Sequence, residues 1–299
     1  MAIRRVTIGI PSFNEEQNLL NLLRSIENHP SSDFAISEII ISDDSSDNTP
    51  KLVERYAMNS SLNIRFMHHY TRRGAAAAWN EIFKEATGDV IVLYDADVIV
   101  ERNCTEELVS SIQGKIGLCA SNPTPVNATG LVARASTFLS NWLNLVRRNR
   151  ISQYTVMGRG LSIRSDIAKK ILIPCDIISI DLYLQCKALE NRIDVAYNDN
   201  AIVYFYPPKS MLDFASQVIR GFNGHRQIRD YVIRFKINVS LDVLFIETVR
   251  SIITNPLGAA SVIISYVFVP FYRFKLQGIN SSKWDTAKST KSSNEYRLR

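Results

Sequence analysis

Two carboxylates separated by one small residue close an apolar, β-branched run: Val90-Ile91-Val92-Leu93-Tyr94 leads into Asp95-Ala96-Asp97. A run of this kind reads as a strand buried on both faces. Side chains alternate along a strand, so Asp95 and Asp97 are expected on one side, with Cα atoms about 6.6 Å apart at about 3.3 Å per residue. Two acids at the open end of a buried strand suit a hard divalent cation, Mg2+ or Mn2+. Such an ion keeps some water and takes further oxygens from a diphosphate. The competing reading is that aspartate simply ends strands and caps helices.

Three other polar clusters follow apolar runs in the same way. Val6–Ile10 precedes Pro11-Ser12-Phe13-Asn14-Glu15-Glu16, Glu38–Ile41 precedes Asp43-Asp44-Ser45-Ser46-Asp47, and Ile64–Met67 precedes Thr71-Arg72-Arg73-Gly74. Helical stretches separate them. Asn14 is placed to cap a helix whose Leu19, Leu22, Leu23 and Ile26 fall at i, i+3, i+4 and i+7. Thr49 and Pro50 open a second helix, and Ala75 to Ala86 is an alanine-rich third. Four strand–helix alternations imply a parallel α/β sheet with right-handed crossovers. Ligands of such sheets gather beyond the carboxyl ends of the strands, where all four polar clusters belong. No G-x-G-x-x-G follows the first strand and no G-x-x-x-x-G-K-[ST] occurs, which excludes dinucleotide and P-loop readings.

Beyond residue 100 the pattern predicts helices over Thr105–Gln113, Leu131–Arg150 and from Ser165, and a strand over Ile116–Ala120. It then predicts an amphipathic helix over Asp181–Glu190, separate strands over Ile193–Tyr197 and Ala201–Tyr206, and one long basic helix over Ser210–Tyr231.

The 299 residues are 46% hydrophobic and 21% charged, enough apolar material for a sizeable core. The formal net charge of +6 gathers in Arg220 to Arg234 and after Phe271, which favours an anionic membrane surface over a nucleic-acid groove. Cys104, Cys119, Cys175 and Cys186 form no Cys-x-x-Cys pair and read as small buried residues of a reducing compartment. Met1–Arg5 lacks the apolar length of a secretory signal, so the catalytic part is expected on the cytoplasmic side. No charge occurs from Ser251 to Tyr272. As one helix that stretch would extend about 33 Å at 1.5 Å per residue, enough for a hydrocarbon core of about 30 Å. Pro256 and Pro270 interrupt it, so the expectation is one anchor, spanning or re-entrant, with Val239–Ile253 lying on the membrane plane. The Ser-, Thr- and Lys-rich tail from Gly278 reads as disordered.

Taken in order, these motifs resemble those of family 2 glycosyltransferases of the GT-A fold, from Val6 to about Gly224. Ile10–Glu16, Asp43–Thr49 and Arg73-Gly74 with Ala78 and Asn80 match the family's successive turns. Asp95-Ala96-Asp97 stands at its Asp-x-Asp, and Gly158–Arg164 at its acceptor-side loop. Asp181 falls on the catalytic base of Glu-Asp-x-Asp-Leu, with Ile180 and Tyr183 replacing the neighbouring acids. Gln217-Val218-Ile219-Arg220-Gly221 matches Gln-x-x-Arg-Trp with glycine for tryptophan, which implies a non-processive member.

The resemblance implies an α/β GT-A (nucleotide-diphospho-sugar transferase) fold: a Rossmann-like, mostly parallel sheet flanked by helices, plus C-terminal membrane-associated helices. Residues 1–235 would be the catalytic domain, 236–277 a membrane-associated segment and 278–299 a polar tail. It implies nucleotide-sugar contacts from Pro11, Phe13, Glu15, Asp43, Asp44, Arg73, Gly74, Asp95 and Ala96. Diphosphate or acceptor contacts fall to Gly158, Arg159, Gln217 and Arg220, metal binding to Asp95 and Asp97, and base catalysis to Asp181. Either Asp43 or Asp44 could accept a uracil imide N–H. The expected activity is inverting, metal-dependent transfer from a UDP-sugar to a hydroxyl of a lipid-linked or glycan acceptor at the cytoplasmic face of the cell membrane. Two alternatives stand beside it. One is a silent relative that binds sugar nucleotides as a membrane partner. The other is a sugar-phosphate nucleotidyltransferase, whose glycine-rich N-terminal loop is missing here.

Overall fold

In the computed structural model, which describes residues 3–27, 34–126, 129–149, 159–237, 240–275 and 290, the first four apolar runs form parallel strands. They are β1 (Arg4–Ser12), β2 (Phe34–Asp43), β3 (Ile64–His68) and β4 (Val90–Tyr94), side by side as β3-β2-β1-β4. Helices α1 (Leu19–Glu27), α2 (Thr49–Ala57) and α3 (Ala75–Glu85) make the crossovers. Strand alternation sorts the apolar residues into two layers. Ile39, Ile41, Val90 and Val92 join Leu19, Leu22, Leu23 and Ile26 of α1. Ile40, Ile91 and Leu93 join Trp79, Ile82 and Phe83 of α3 on the other face. Asn14 does not cap α1 as expected. It takes φ 54°, and a turn closed by Asn18 and Leu19 N–H on the Glu15 carbonyl comes before the helix.

Only this half of the sheet is parallel throughout. Four more strands, β5 (Val98–Val100), β6 (Ile116–Pro125), β7 (Gly160–Arg164) and β8 (Asp194–Phe205), complete the order β3-β2-β1-β4-β7-β6-β8-β5. β7 runs antiparallel to β4 and β6, and β5 antiparallel to β8. The connection through α5 (Leu131–Arg148) delivers β7 in the reverse direction. Side-chain period is the same for both directions, so the run of residues carries no sign of this. The two strands expected between Ile193 and Tyr206 are one: β8 stays parallel to β6, and a register shift opposite Ala120–Asn122 accommodates Asn198-Asp199-Asn200.

Helices α4 (Cys104–Ser110), α6 (Ser165–Ala168), α7 (Ile180–Glu190), α8 (Met211–Gln227) and α9 (Arg229–Arg234) pack around the sheet. α7 is not amphipathic: Ile180, Leu182, Tyr183, Leu184, Gln185, Cys186 and Ala188 are all buried. The expected long helix over 210–231 breaks at buried Ile228. Cys104, Cys119 and Cys186 are buried, but Cys175 is exposed.

The C-terminal stretch is likewise two helices, α10 (Leu241–Thr254) and α11 (Pro256–Lys275), bent by 111°. Pro256 has no N–H to carry α10 onward, and Asn255 leaves helical geometry at φ −143°, ψ 70°. Among the described residues no single helix is long and apolar enough to cross a membrane, although the bent pair passes together. Both helices are docked on the sheet domain. Val262 and Val269 of α11 pack against Val132 and Ala135 of α5 and Phe214 of α8. Trp142 Nε1 donates to Thr248 Oγ1 at 3.1 Å, and Asn149 Nδ2 to Glu247 Oε1 at 3.2 Å. The outer face bares Leu257, Ile263, Val267, Phe268 and Phe271. The tail from 278 lies outside the described residues, apart from residue 290.

Candidate active site

The loops after β1, β2 and β3 are tied together by side chains. Asn14 Oδ1 accepts the backbone N–H of Ser46 (2.8 Å) and Asp47 (3.3 Å), while its own N–H donates to Ser45 Oγ at 2.7 Å. The Glu15 N–H donates to Thr49 Oγ1, and its carboxylate accepts from Asn18 Nδ2. Asp44 accepts from the backbone N–H of Arg73 (2.6 Å) and Gly74 (3.0 Å) and from Arg73 Nε (3.0 Å). The rest of the Arg73 guanidinium is held by Glu81 and Ser42 Oγ. Gly74 takes φ 95°, open to glycine at no steric cost. Asp43 is wholly buried and accepts from Ser45 N–H and Oγ, with His68 Nδ1 at 2.8 Å.

These contacts tie two of the expected nucleotide-sugar residues into the protein. Arg73, partly exposed, fixes the second acidic turn. Asp43 is bonded by Ser45 and His68. Asp44, at 7% exposure, is the less enclosed of the two acids. Phe13 remains partly exposed beneath the Arg72 guanidinium, 4.0 Å from its ring centroid. Pro11, partly exposed, pairs in register with Ser42, and Ala96 is buried.

The acidic pair lies beyond these loops, but not on a strand. β4 ends at Tyr94, and Asp95 to Asp97 form the turn into β5, so strand alternation is not what brings the acids together. The Asp95 N–H donates to the Arg159 carbonyl at 3.1 Å. Burial pushes the Asp95 carboxyl well above the usual range. Asp97 and Asp181 add to that, and Arg159 and Arg220 oppose it. Burial likewise weakens the proton on Arg220, against the pull of Asp95, Asp181 and Asp97. Residues 95, 97, 159, 181 and 220, far apart in sequence, therefore occupy one electrostatic neighbourhood.

Local backbone features make this convergence. Asp181 sits in the first turn of α7, and Arg220 lies near the middle of α8 with Gln217 one turn before it, half-buried. One turn after Arg220 comes Gly224, where a Cβ would collide with Ser179 Oγ at the start of α7. Glycine thus lets α8 close onto the turn that presents Asp181. Arg159 is held at φ 113°, a conformation rare for non-glycine residues, and its guanidinium lies 3.8 Å over the Phe205 ring. A Cβ at Gly160 would come within 2.8 Å of Val203 Cγ2 and 2.9 Å of Ser121 Oγ, so β7 also needs glycine at its entry. Gly158 lies outside the described residues. Ile180 and Tyr183, which replace the neighbouring family acids, are 1% and 6% exposed and belong to the core. Open space surrounds Gly221, where the family's tryptophan would project.

Sequence reasoning missed Arg147. It is 3% exposed on α5, with Asn144 one turn earlier on the same buried face. Burial lowers its guanidinium to about 10, opposed by Tyr197 and Asp181. No local signal in the sequence marks it, because only tertiary packing buries an arginine of a helix. His68 and His69 were also missed, as partners of Asp43 and Glu81.

The donor set fits a divalent cation that shares its shell with substrate. Among the described residues no three His, Cys, Asp or Glu side chains cluster as a complete metal site. Asp95 and Asp97 supply two carboxylates, and hard cations such as Mg2+ and Mn2+ complete their shells with phosphate and water oxygens.

Comparison with known proteins bears on this arrangement. The model for "Glycosyl transferase family 2" matches residues 7–169, more than half of the chain. The poly-beta-1,6-N-acetyl-D-glucosamine synthase of Staphylococcus epidermidis is 21% identical over 262 residues, covering 84% of this chain and 62% of that protein. The Staphylococcus aureus (strain COL) synthase is 24% identical over 225 residues, covering 72% and 54%. The chain therefore spans only 54% to 62% of the length of these relatives. Among solved structures, the mannosyltransferase PcManGT from Pyrobaculum calidifontis, in complex with GDP-Man and Mn2+, superposes with a TM-score of 0.59 at 17% identity, covering 97% of this chain and 86% of that one. Staphylococcus aureus TarS 1–349 with UDP-GlcNAc gives 0.53 at 19%, covering 92% and 93%. With the family's motifs gathered at one end of a sheet that these structures share, the chain belongs to glycosyl transferase family 2 and has a GT-A-like α/β fold.

Proposed function

We propose that this chain moves a sugar from a nucleotide diphospho-sugar, a UDP-sugar in preference, to a hydroxyl of a lipid-linked or glycan acceptor, with inversion at the anomeric carbon. The observation that carries this reading is the shared electrostatic environment of Asp95, Asp97, Asp181, Arg159 and Arg220. One end of that cluster suits a diphosphate and the other a reacting hydroxyl. Asp181 takes the acceptor proton as its oxygen attacks, and the bond from the anomeric carbon to the diphosphate breaks on the opposite face. General-base help of this kind is worth about 10²–10⁴ in rate. Arg220 and Arg159 stabilise the charge that develops on the leaving diphosphate. Held by Asp95 and Asp97, Mg2+ or Mn2+ supplies further positive charge there. Asp44 and Phe13 flank the place for the base, which Asp44 can recognise through an imide N–H. Relatives solved with UDP-GlcNAc, or with GDP-Man and Mn2+, support the donor class.

The outward apolar face of α10 and α11 we assign to the cytoplasmic leaflet of the cell membrane, as a surface-lying pair that keeps the cleft near a lipid-linked acceptor. Sedimentation with vesicles containing anionic lipid is expected, and replacing both Phe268 and Phe271 by Asp is expected to abolish it; a double variant that still sediments would remove this assignment. For the reaction, calorimetry with UDP and Mn2+, together with UDP release from a panel of UDP-sugars, is the direct test. Binding without turnover on any acceptor preparation would instead favour a silent relative.

A further inference from the structure

The Arg147 guanidinium is bonded on one side only. Its Nη1 donates to Asn144 Oδ1 at 3.0 Å, and Asn144 is itself fixed by Nδ2 on the Pro123 carbonyl at 2.9 Å. Nε and Nη2, both buried, have no hydrogen-bond partner among the described residues. Those two N–H groups form the side-on edge of the guanidinium, the parallel fork that grips a carboxylate or phosphate with two bonds. A buried cation with that edge open is costly unless something occupies it. Its electrostatic partners are Asp181 and Tyr197, whereas Arg159 and Arg220 are the arginines that face Asp95. Arg147 thus shares the field of Asp181, the residue read as the base, and its Cζ lies 5.8 Å from the Tyr197 ring centroid.

A second buried group beside it is also open. Asn122 donates through Nδ2 to the Asp199 carbonyl (2.8 Å) and Oδ1 (3.2 Å), and Asp199 receives Tyr197 Oη and Arg148 Nε. The Asn122 Oδ1 has no donor among the described residues. An oxyanion fork and a lone hydroxyl acceptor are the complement of a hydroxylated molecule that carries a phosphate or carboxylate.

We propose that Arg147 is an anion subsite for the acceptor: it receives a phosphate or carboxylate group borne near the hydroxyl presented to Asp181. This rests on the glycosyltransfer reading for its placement, but its test is separable. Inorganic phosphate and sn-glycerol 3-phosphate serve as probes on the full chain saturated with UDP and Mn2+, with chloride matched for ionic strength. Either probe is expected to raise the Tm of the parent by about 2–4 °C. Arg147→Met is expected to lose that increment, and Arg147→Lys, which keeps the charge but not the fork, to bind the probe at least about tenfold more weakly. UDP affinity is expected to be unchanged in both. No stabilisation of the parent by either probe, or stabilisation that persists in Arg147→Met, overturns the proposal. A loss of UDP affinity equal to the loss of phosphate response does so too, because it moves Arg147 to the donor side. If the parent binds no UDP but still shows Arg147-dependent stabilisation, the donor reading fails and the subsite stands.

Discussion

Glu38 on β2 and Arg147 on α5 are both buried charges, and they are treated in opposite ways. Glu38, in the parallel half, is saturated: Oε1 accepts from Thr7 Oγ1, Thr87 N–H and Thr87 Oγ1, and Oε2 from Arg65 Nη1. Arg147, in the mixed half, has one side-chain hydrogen-bond partner among the described residues, the Tyr197 ring 5.8 Å from its Cζ, and an open edge. The side chains of the loops after β1, β2 and β3 bond one another, while Arg147 on α5 and Asn122 on β6 each keep a polar edge without a hydrogen-bond partner among the described residues. A closed network fixes a shape in advance of any ligand. An open one is what a site looks like before its ligand completes it. On the proposed glycosyltransfer reading, the donor half of the cleft would be preformed and the acceptor half finished by what binds there.

The largest effects should come from the acids that the two halves share. Asp97→Ala is expected to remove metal-dependent UDP binding by calorimetry while leaving the Tm of the apo chain in place. Unchanged affinity would take the metal role from the turn after β4. Asp181→Asn is expected to lower the rate of UDP-sugar turnover by about 10²–10⁴. Its UDP affinity should stay that of the parent, since the base acts on the acceptor. A matching fall in both would mean that Asp181 serves the donor half instead.

Glu38 probes the closed network alone. Burial would by itself raise its carboxyl, but the donors from Thr87, Arg65 and Thr7 outweigh burial and hold it down to about 2, against 4.5. A depressed carboxylate stabilises the fold above its unfolded value and ceases to do so as pH falls through the folded one. The interval from 4.5 to about 2 corresponds to about 3 kcal/mol at neutral pH. Denaturant unfolding of Glu38→Gln should show a deficit of that order at pH 7, shrinking as the pH is lowered from 4.5 toward 2. A deficit that is independent of pH would show that shape, not charge, is what Glu38 contributes.

The difference between the halves also decided how much could be read from sequence. Each donor-side cluster follows its own strand, so local patterning located β1 to β4 and the loops that carry Asp44 and Asp95. It did not show how Arg73 is held, because a segment cannot reveal that Glu81 and Ser42 will fold back onto it. In the other half the decisive events are long-range. β7 is inserted antiparallel between β4 and β6, which no period records. The charge-free stretch over 251–272 looked long enough to span a bilayer, but Asn255-Pro256 breaks it and α5 and α8 claim one of its faces. Arg147 stayed invisible because an arginine in a helix is normally a solvent-facing residue, and only tertiary packing buries it.

Gly224 offers the finest test, since it sets how α8 closes onto the start of α7 without touching the reacting groups. A Cβ there would collide with Ser179 Oγ and stand 3.0 Å from Ser179 Cβ, so α8 would have to lift from the start of α7. Overpacking of this kind costs about 1–3 kcal/mol. Gly224→Ala is therefore expected to lower Tm modestly and to reduce kcat more than it changes the affinity for UDP. Displacing α8 moves Arg220 relative to Asp181, but leaves the loops of the closed half alone. Ser179→Gly in the same chain removes the opposing side chain and should restore both values. If Gly224→Ala turns over at the parental rate, the contact between α8 and α7 does not set the geometry of the site. The convergence of Asp181 with Arg220 must then be maintained elsewhere, with the docked pair α10 and α11 as the next elements to perturb.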